Sequence, residues 1–425
     1  MEKIKIGMLG CGVVGGAVAQ QLLQNAADLE ARTGAKLELV KVAVRDVNKE
    51  RVGVPANLVT ANPDEVVTNP DINLVIELMG GIEPARDLLL AAIKNGKSIV
   101  TANKALLAKH GADLFAAADK AGVDLYYEAA VAGAIPIIRP LRESLVGDQI
   151  QRVMGIVNGT TNYILTKMDE EGLPFNAVLK EAQNLGFAES DPTADIEGHD
   201  AAAKAAILAG LAFHTRVSID DVYCEGISKI TAEDVSVAKS MNQVIKLVAI
   251  AELNDKDQIS VRVHPVMLKR SHPLASVRES FNAVFVEAKA AGQLMFYGRG
   301  AGGAPTASAV LGDLVAVGRH LANDSVGPRE SDYADREIAP MDSIQSRFLI
   351  RLAVADKSGV LATIANVFAS ESVSIQTVRQ TGSGNEAELI VGTHRTSEKS
   401  INATIKKLNG LDVVRNVDSE IRVEG

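Results

Sequence analysis

The stretch AQNLGFAESDPTADIEGHDAAAK, residues 182–204, sets Glu189, Asp191, Asp195, Glu197 and Asp200 ahead of a lysine, Lys204. It is either a solvated loop running into an ordinary helix or a set of carboxylates built to hold a charged substrate. Asp200 and Lys204 are four residues apart, so they share one face of any helix there. An exposed ion pair at that spacing contributes little to stability. Lys204, however, falls among Ala201, Ala205, Ile207 and Leu208, where it is expected to be partly buried, and lysines are seldom buried without a purpose. A second lysine, Lys104 in VTANKALLA (residues 100–108), closes a strand as the next helix begins. A helix N-terminus disfavours a cation, so Lys104 is either an ordinary surface residue or one held there for chemistry.

The elements that must position these lysines begin at the N-terminus. Ile4–Leu9 reads as a buried strand, followed at once by GCGVVGG, in which Gly10, Gly12 and Gly15 have the GxGxxG spacing. The first glycine allows a tight turn, the second lets a phosphate approach the backbone, and the third lets the next helix pack on the strand. That helix, Val13–Leu23, opens at Val13 and Val14 with free N–H groups and a positive dipole end for a pyrophosphate. Strands are expected at Glu38–Val44, Asn73–Leu78, Ser98–Thr101 and Asp124–Glu128, and helices at Ala85–Lys94 and after Lys104. This alternation predicts a Rossmann-type, doubly wound parallel sheet. Ligands of such sheets lie at the strand C-termini, where Lys104 falls.

The second strand ends in VAVRDVNKER. Arg45, assisted by Lys49 or Arg51, suits an adenosine 2′-phosphate, whereas Asp46 suits a bare ribose. The same residues also suit a solvated turn. NADP(H) is the expected cofactor, with NAD(H) tolerated. Cys11 has no neighbour in sequence that would activate a thiolate.

A chain of 425 residues exceeds one compact core, so two or three domains are expected. A net charge of −9 without basic runs argues against a nucleic-acid partner. Two cysteines imply no disulfide framework. The N-terminus reads as a strand rather than a signal peptide, and apolar stretches such as Ala205–Leu211 are too short to span a bilayer. A cytosolic protein without membrane partners is expected.

Past Pro136, QRVMGIVNGTTNYIL reads as a strand turning through Asn158–Gly159 into a helix. Helices Phe175–Leu185 and His199–Phe213 flank the acidic stretch. YGRGAGGAPTASAV, residues 297–310, is a second glycine-rich loop leading into a helix. His264 and His272 lie beside prolines with no metal-ligand spacing. Asn323–Asp342 reads as a polar linker. Beyond it the order strand, helix, strand, strand, helix, strand predicts a ferredoxin-like βαββαβ module, with elements at Glu386–Thr393, Ser397–Leu408 and Leu411–Val423. The expected division is a Rossmann-type domain 1–132, completed by about 300–322; an α+β domain 133–300; a linker 323–342; and the βαββαβ module 343–425.

The acidic stretch resembles the signature of the homoserine dehydrogenase family: an alanine, Gly186-Phe187-Ala188, Asp191-Pro192, Asp195-Ile196, Gly198, Asp200 and Lys204. The GxGxxG start, TANK, EAAVAGAIPII and GRGAGGAPTASAV follow that family in the same order. The resemblance implies NAD(P)-dependent interconversion of L-homoserine and L-aspartate 4-semialdehyde, on the way to threonine, methionine and isoleucine. It makes Lys204 the proton donor for aldehyde reduction and places Lys104 beside substrate and nicotinamide. Glu189, Asp195 and Asp200 would hold the substrate's ammonium or hydroxyl and orient Lys204. Gly302 and Gly303 would lie against the cofactor. Glu128, Val131, Gly133 and Ile135 would offer mainly backbone carbonyls to a monovalent cation such as Na+. A homodimer, through the middle region, or a homotetramer is implied.

The turn ADKSGVLATIANVF resembles an ACT domain, a small module that commonly binds amino acids. That likeness puts Asp356, Gly359, Leu361 and Asn366 where an effector, with threonine the obvious candidate, would bind between paired modules. A module that serves assembly alone is the alternative. A non-enzymatic sensor would account for the glycine loops and this module, but not for two lysines and the carboxylates between them. An aldehyde dehydrogenase forming a thioester needs a reactive cysteine, and Cys224, in DVYCEGI, has acidic neighbours that raise a thiol pKa.

Overall fold

The computed structural model describes residues 3–51, 53–382 and 387–425. Six strands, β1 (Lys3–Leu9), β2 (Lys36–Ala43), β3 (Val59–Thr60), β4 (Leu74–Glu77), β5 (Ser98–Thr101) and β6 (Leu125–Tyr126), form one sheet in the order β3-β2-β1-β4-β5-β6. Every pairing in it is parallel. All residues of β4 and β5 are buried, as expected of central strands covered by helices on both faces. Strand order reverses between β1 and β4, and a nucleotide-binding crevice opens at such a reversal. Helices Val13–Gln24 and Ala85–Lys94 form as expected, and helix Lys104–Ala121 starts at Lys104 itself.

The remaining strands are β7 (Ile150–Ile156), β8 (Tyr223–Cys224), β9 (Gln243–Leu253), β10 (Ile259–Lys269), β11 (Phe281–Ala288), β12 (Gly292–Arg299), β13 (Gln345–Val354), β14 (Ile375–Thr381), β15 (Glu388–Thr393), β16 (Thr396–Ser397) and β17 (Val414–Glu424). They join in a second sheet whose main path is β12-β11-β7-β9-β10-β17-β13-β15-β14, with β8 on β10 and β16 on β13. With helices Val360–Ser370 and Glu398–Leu408, strands β13, β14, β15 and β17 make the expected βαββαβ module. Glu386, where one of its strands was expected to begin, lies outside the described residues.

The module is not a separate body on a tether. Its last strand, β17, pairs in parallel with β10 of the middle region, Val266 opposite Arg422 and Leu268 opposite Glu424. One sheet therefore runs from the middle region into the C-terminal module. Among the described residues no helix is long and apolar enough to cross a membrane.

Helix His199–Phe213 lies on β9 and β10 with helix Lys104–Ala121 beside it. It is packed on nearly every side, with Ala201, Ala202, Ala203, Ala205, Ala206 and Ala209 all buried. The run of alanines follows from that, since small side chains let a helix approach both a sheet and another helix. The two lysine-bearing helices thus meet near their N-terminal ends.

Candidate active site

Lys204 is buried, 8% exposed, in the first turns of its helix. Its ammonium donates to Asp200 Oδ2 at 2.7 Å and to the Val157 carbonyl at 2.6 Å. Two of its three donors are thereby committed, which leaves one for a ligand. Lys104 Nζ lies 3.0 Å from the other oxygen, Asp200 Oδ1, and its side chain is 43% exposed. One carboxylate therefore holds two ammonium groups from different helices. Burial works to keep Asp200 neutral, but the charges of Lys204 and Lys104, with hydrogen bonds from Lys204 and Asn158, hold its carboxyl well below the usual range.

Lys104 reaches this point because the crevice lip is cross-braced. Asn103 caps the helix, its Oδ1 accepting from Leu106 N at 3.1 Å, while its Nδ2 donates to the Gly81 carbonyl at 2.6 Å. Behind it, Thr101 Oγ1 donates to the buried Glu77 at 2.6 Å, and Glu77 accepts from Met79 and Gly80 N–H at 2.9 and 3.0 Å. The loops after β4 and β5 are fixed to each other by side chains whose role sequence reading did not find.

Asn158, expected from sequence only as a turn into the helix, and Thr160, not singled out, hold the acidic loop. Asn158 caps helix Gly159–Glu171 through Oδ1, and its amide donates one hydrogen to Asp195 Oδ1 at 2.7 Å and the other to Asp200 Oδ2 at 2.9 Å. Thr160 Oγ1 lies 3.1 Å from Asp195 Oδ2 and 2.7 Å from the Phe187 carbonyl. An asparagine directly before a helix is a recognisable cap, and that was the signal available. Glu189 is exposed, and its side chain joins none of these hydrogen bonds.

The glycine cradle has the shape its spacing predicts. Gly10 has φ +90°, and a Cβ there would stand 2.7 Å from Met79 N; at Gly15 it would stand 2.7 Å from the Gly10 carbonyl. Around Gly12 the space is open, and no side chain caps the helix that follows. The second loop meets the first, for a Cβ on Gly303 would lie 2.9 Å from Val13 Cγ1. Helix Gly303–Ala322 also starts without a side-chain cap, on Gly302 at φ +118°. Val13 is 80% exposed. Two neighbouring helix starts with unpaired N–H groups and no side chain in the way fit a dinucleotide's phosphates. Past β2, Arg51 donates to the Asp46 and Lys49 carbonyls, and Asp46 Oδ1 accepts from Asn48 N at 2.9 Å. Arg45 is exposed and makes no ion pair among the described residues.

Glu128 is buried, and its carboxylate accepts from the N–H groups of Ile137, Ile138 and Arg139 at 2.6, 2.7 and 3.0 Å. That carboxylate is saturated, so only its backbone carbonyl could serve a cation. Ala132 and Gly133 turn the chain at φ +56° and +57°. Among the described residues no hydrogen-bond donor meets the carbonyls of Val131, Gly133 and Ile135. In the C-terminal module, Gly359 caps helix Val360–Ser370 at φ +89°; Asp356 and Leu361 are exposed around that helix start, and Asn366 is exposed further along the helix. Gln380 Nε2 lies 3.4 Å from Asp356 Oδ1. Cys224 has its thiol pushed up to about 11 by burial and by Glu197 and Glu225, which leaves it a poor nucleophile at neutral pH.

Residues 136–315 match the homoserine dehydrogenase family, residues 10–128 the homoserine dehydrogenase NAD binding domain, and residues 348–413 the ACT domain. The chain is 52% identical to homoserine dehydrogenase of Corynebacterium glutamicum over 99% of its own length and 96% of that protein's. The structure of a homoserine dehydrogenase from Thiobacillus denitrificans superposes with a TM-score of 0.95 at 43% identity, covering 100% of this chain and 99% of that one. A hyperthermophilic archaeal homoserine dehydrogenase in complex with NADPH matches 74% of this chain and 97% of its own, with a TM-score of 0.63 at 29% identity. The catalytic chemistry is that of an NAD(P)-dependent oxidoreductase acting on a CH–OH group, and the chain belongs to the homoserine dehydrogenase family.

Proposed function

We propose that the protein interconverts L-homoserine and L-aspartate 4-semialdehyde, with Lys204 as the proton donor and Lys104 as the second cation at the reacting oxygen. The observation that carries this reading is the sharing of Asp200 by both ammonium groups. Bound nicotinamide supplies the hydride exchange. As an aldehyde is reduced, charge builds on its oxygen, and an ammonium beside it both stabilises that charge and delivers the proton. Asp200 keeps the two lysines from repelling each other apart. In the reverse direction Lys204 accepts the hydroxyl proton as hydride leaves, and because oxidation releases a proton overall, alkaline pH favours it.

Asp195 and Asp200 hold the substrate's ammonium, with Glu189 as an outer member of the set. Gly10, Gly12, Val13, Val14, Gly15, Gly302 and Gly303 receive the cofactor, and Arg45, which makes no ion pair among the described residues, favours a 2′-phosphate, hence NADP(H) over NAD(H); the NADPH of the archaeal relative supports this. Carbonyls of Glu128, Val131, Gly133 and Ile135 hold a monovalent cation such as Na+. The work is divided among residues 1–132, 133–300 and 343–425, with 323–342 as linker. The enzyme acts as a cytoplasmic homodimer or homotetramer in threonine, methionine and isoleucine synthesis. Threonine binds at Asp356, Gly359, Leu361 and Asn366. The test is nicotinamide absorbance with homoserine and either cofactor, with and without threonine. The reading predicts reduction of NADP at a higher kcat/KM than NAD, and slowing by threonine. Failure to reduce either cofactor contradicts it.

A further inference from the structure

The C-terminal module reaches toward the acidic loop by way of Arg422, which pairs with Glu225 of the middle region. Strands β17 and β8 lie one after the other along the same edge of β10, β8 at Arg262–Val263 and β17 at Val266–Leu268. Arg422 is buried, 7% exposed, and Glu398 grips it in two-point fashion, Nε at 2.6 Å and Nη2 at 2.9 Å. The remaining nitrogen, Nη1, donates to Glu225 Oε2 at 2.7 Å. Because the guanidinium is a rigid planar fork, fixing two of its nitrogens on Glu398 fixes where Glu225 must stand.

Glu225 follows directly on β8, and the segment it belongs to is fastened to the acidic loop. Ile227 N donates to the Ile196 carbonyl at 2.7 Å, and Cys224 Sγ to the Glu197 carbonyl at 3.2 Å. Between them Gly226 packs so closely on the Ile196 carbonyl and Glu197 Cα that no side chain would fit. Ile196 and Glu197 directly follow Asp195, and only Gly198 and His199 separate them from Asp200. Beside this junction a cavity of about 440 Å3 has Glu197, His199, Tyr223, Glu225, Glu420 and Arg422 among its walls, so the loop is thinly packed on that side. On that side its position depends on the ties just named, while Asn158 and Thr160 hold it from the other.

We propose that Arg422 is a positioning residue: through Glu225 it sets the turn that carries Asp195 and leads into Asp200, so that the C-terminal module adjusts the binding of homoserine. This inference rests on reading Asp195 and Asp200 as the substrate carboxylates. A route of this kind is established only by demonstrated coupling, and the experiment is a double-mutant cycle in the full-length enzyme. Glu225→Ala leaves Arg422 on Glu398 and raises the KM for homoserine about fivefold, while kcat and the cofactor KM stay within about twofold. Glu225→Gln, which keeps an oxygen for Nη1, restores the wild-type KM. Arg422→Lys, which loses the fork, raises the same KM, and combining it with Glu225→Ala adds no further rise. Asp195→Asn, measured alongside, raises the homoserine KM if the substrate reading is right. A homoserine KM unmoved by Glu225→Ala but raised by Asp195→Asn overturns the inference alone, as does additivity of the Glu225 and Arg422 effects. An unmoved KM in Asp195→Asn overturns the substrate reading, and the inference with it.

Discussion

Asp200 is where charge, burial and chemistry meet. Burial alone would favour its neutral form, and the two lysines with their hydrogen bonds reverse that, holding the carboxyl well below the usual range. The sign follows from linkage. A depressed carboxyl contributes stability that is present above its unfolded pKa of about 3.9 and is lost only as pH falls through the lower folded value. Asp200 therefore stays ionised at and well below neutral pH. Asp200→Asn removes the charge that both lysines share and leaves two ammonium groups facing each other. Turnover is expected to fall by about 100-fold or more, with cofactor affinity by fluorescence titration unchanged. A turnover near wild type in a folded variant would contradict the role given to Asp200.

At the scale of elements, Asn158 does two things at once: it caps a helix and divides its amide between Asp195 and Asp200. Asn158→Ala is expected to lower stability in urea by about 1–2 kcal/mol, and to raise the homoserine KM through release of both carboxylates. The double role explains what could be read in the sequence and what could not. Helices His199–Phe213 and Ala85–Lys94 and strand Ser98–Thr101 have the expected bounds, because their burial is written in runs of alanine, leucine or β-branched residues. The strand expected at Asp124–Glu128 is only Leu125–Tyr126. Asp124 is taken by His320 and the Gly327 N–H, and Glu128 by three N–H groups of the following turn. Contacts between distant side chains and backbone leave no periodic trace. The lysines and carboxylates could be found from their crowding, whereas Asn158, Thr160 and Glu77 act across 24 to 42 residues.

Across the whole molecule, the C-terminal module is built into the catalytic body. Arg152 and Arg262 of the middle region meet Glu424, the penultimate residue, at 2.8 and 3.4 Å, and both also meet Glu252. Arg351 of the module meets the buried Asp234 at 2.9 Å. Cutting the chain before residue 343 would leave Arg152, Arg262 and Asp234 short of partners and expose an edge of β10, so truncation disturbs the catalytic sheet along with any regulation. Glu420, beside the same junction, is pushed up to about 7 by burial, against the pull of Arg422 and with Glu398 and Glu225 adding to the rise. A raised carboxyl holds a proton in the folded state that the unfolded state has lost, so stability falls as pH rises from about 4.3 to about 7. Glu420→Gln is expected to stabilise the enzyme by about 1–3 kcal/mol at alkaline pH and very little under acid conditions; an equal effect at both would contradict the assignment.

The most direct test of the central claim is the turnover of Lys204→Ala set against its affinity for NADP. The account predicts a loss of about 100-fold or more in kcat in both directions, with the dissociation constant for NADP within about twofold of wild type. A folded variant that turns over homoserine near the wild-type rate would show that the proton comes from elsewhere.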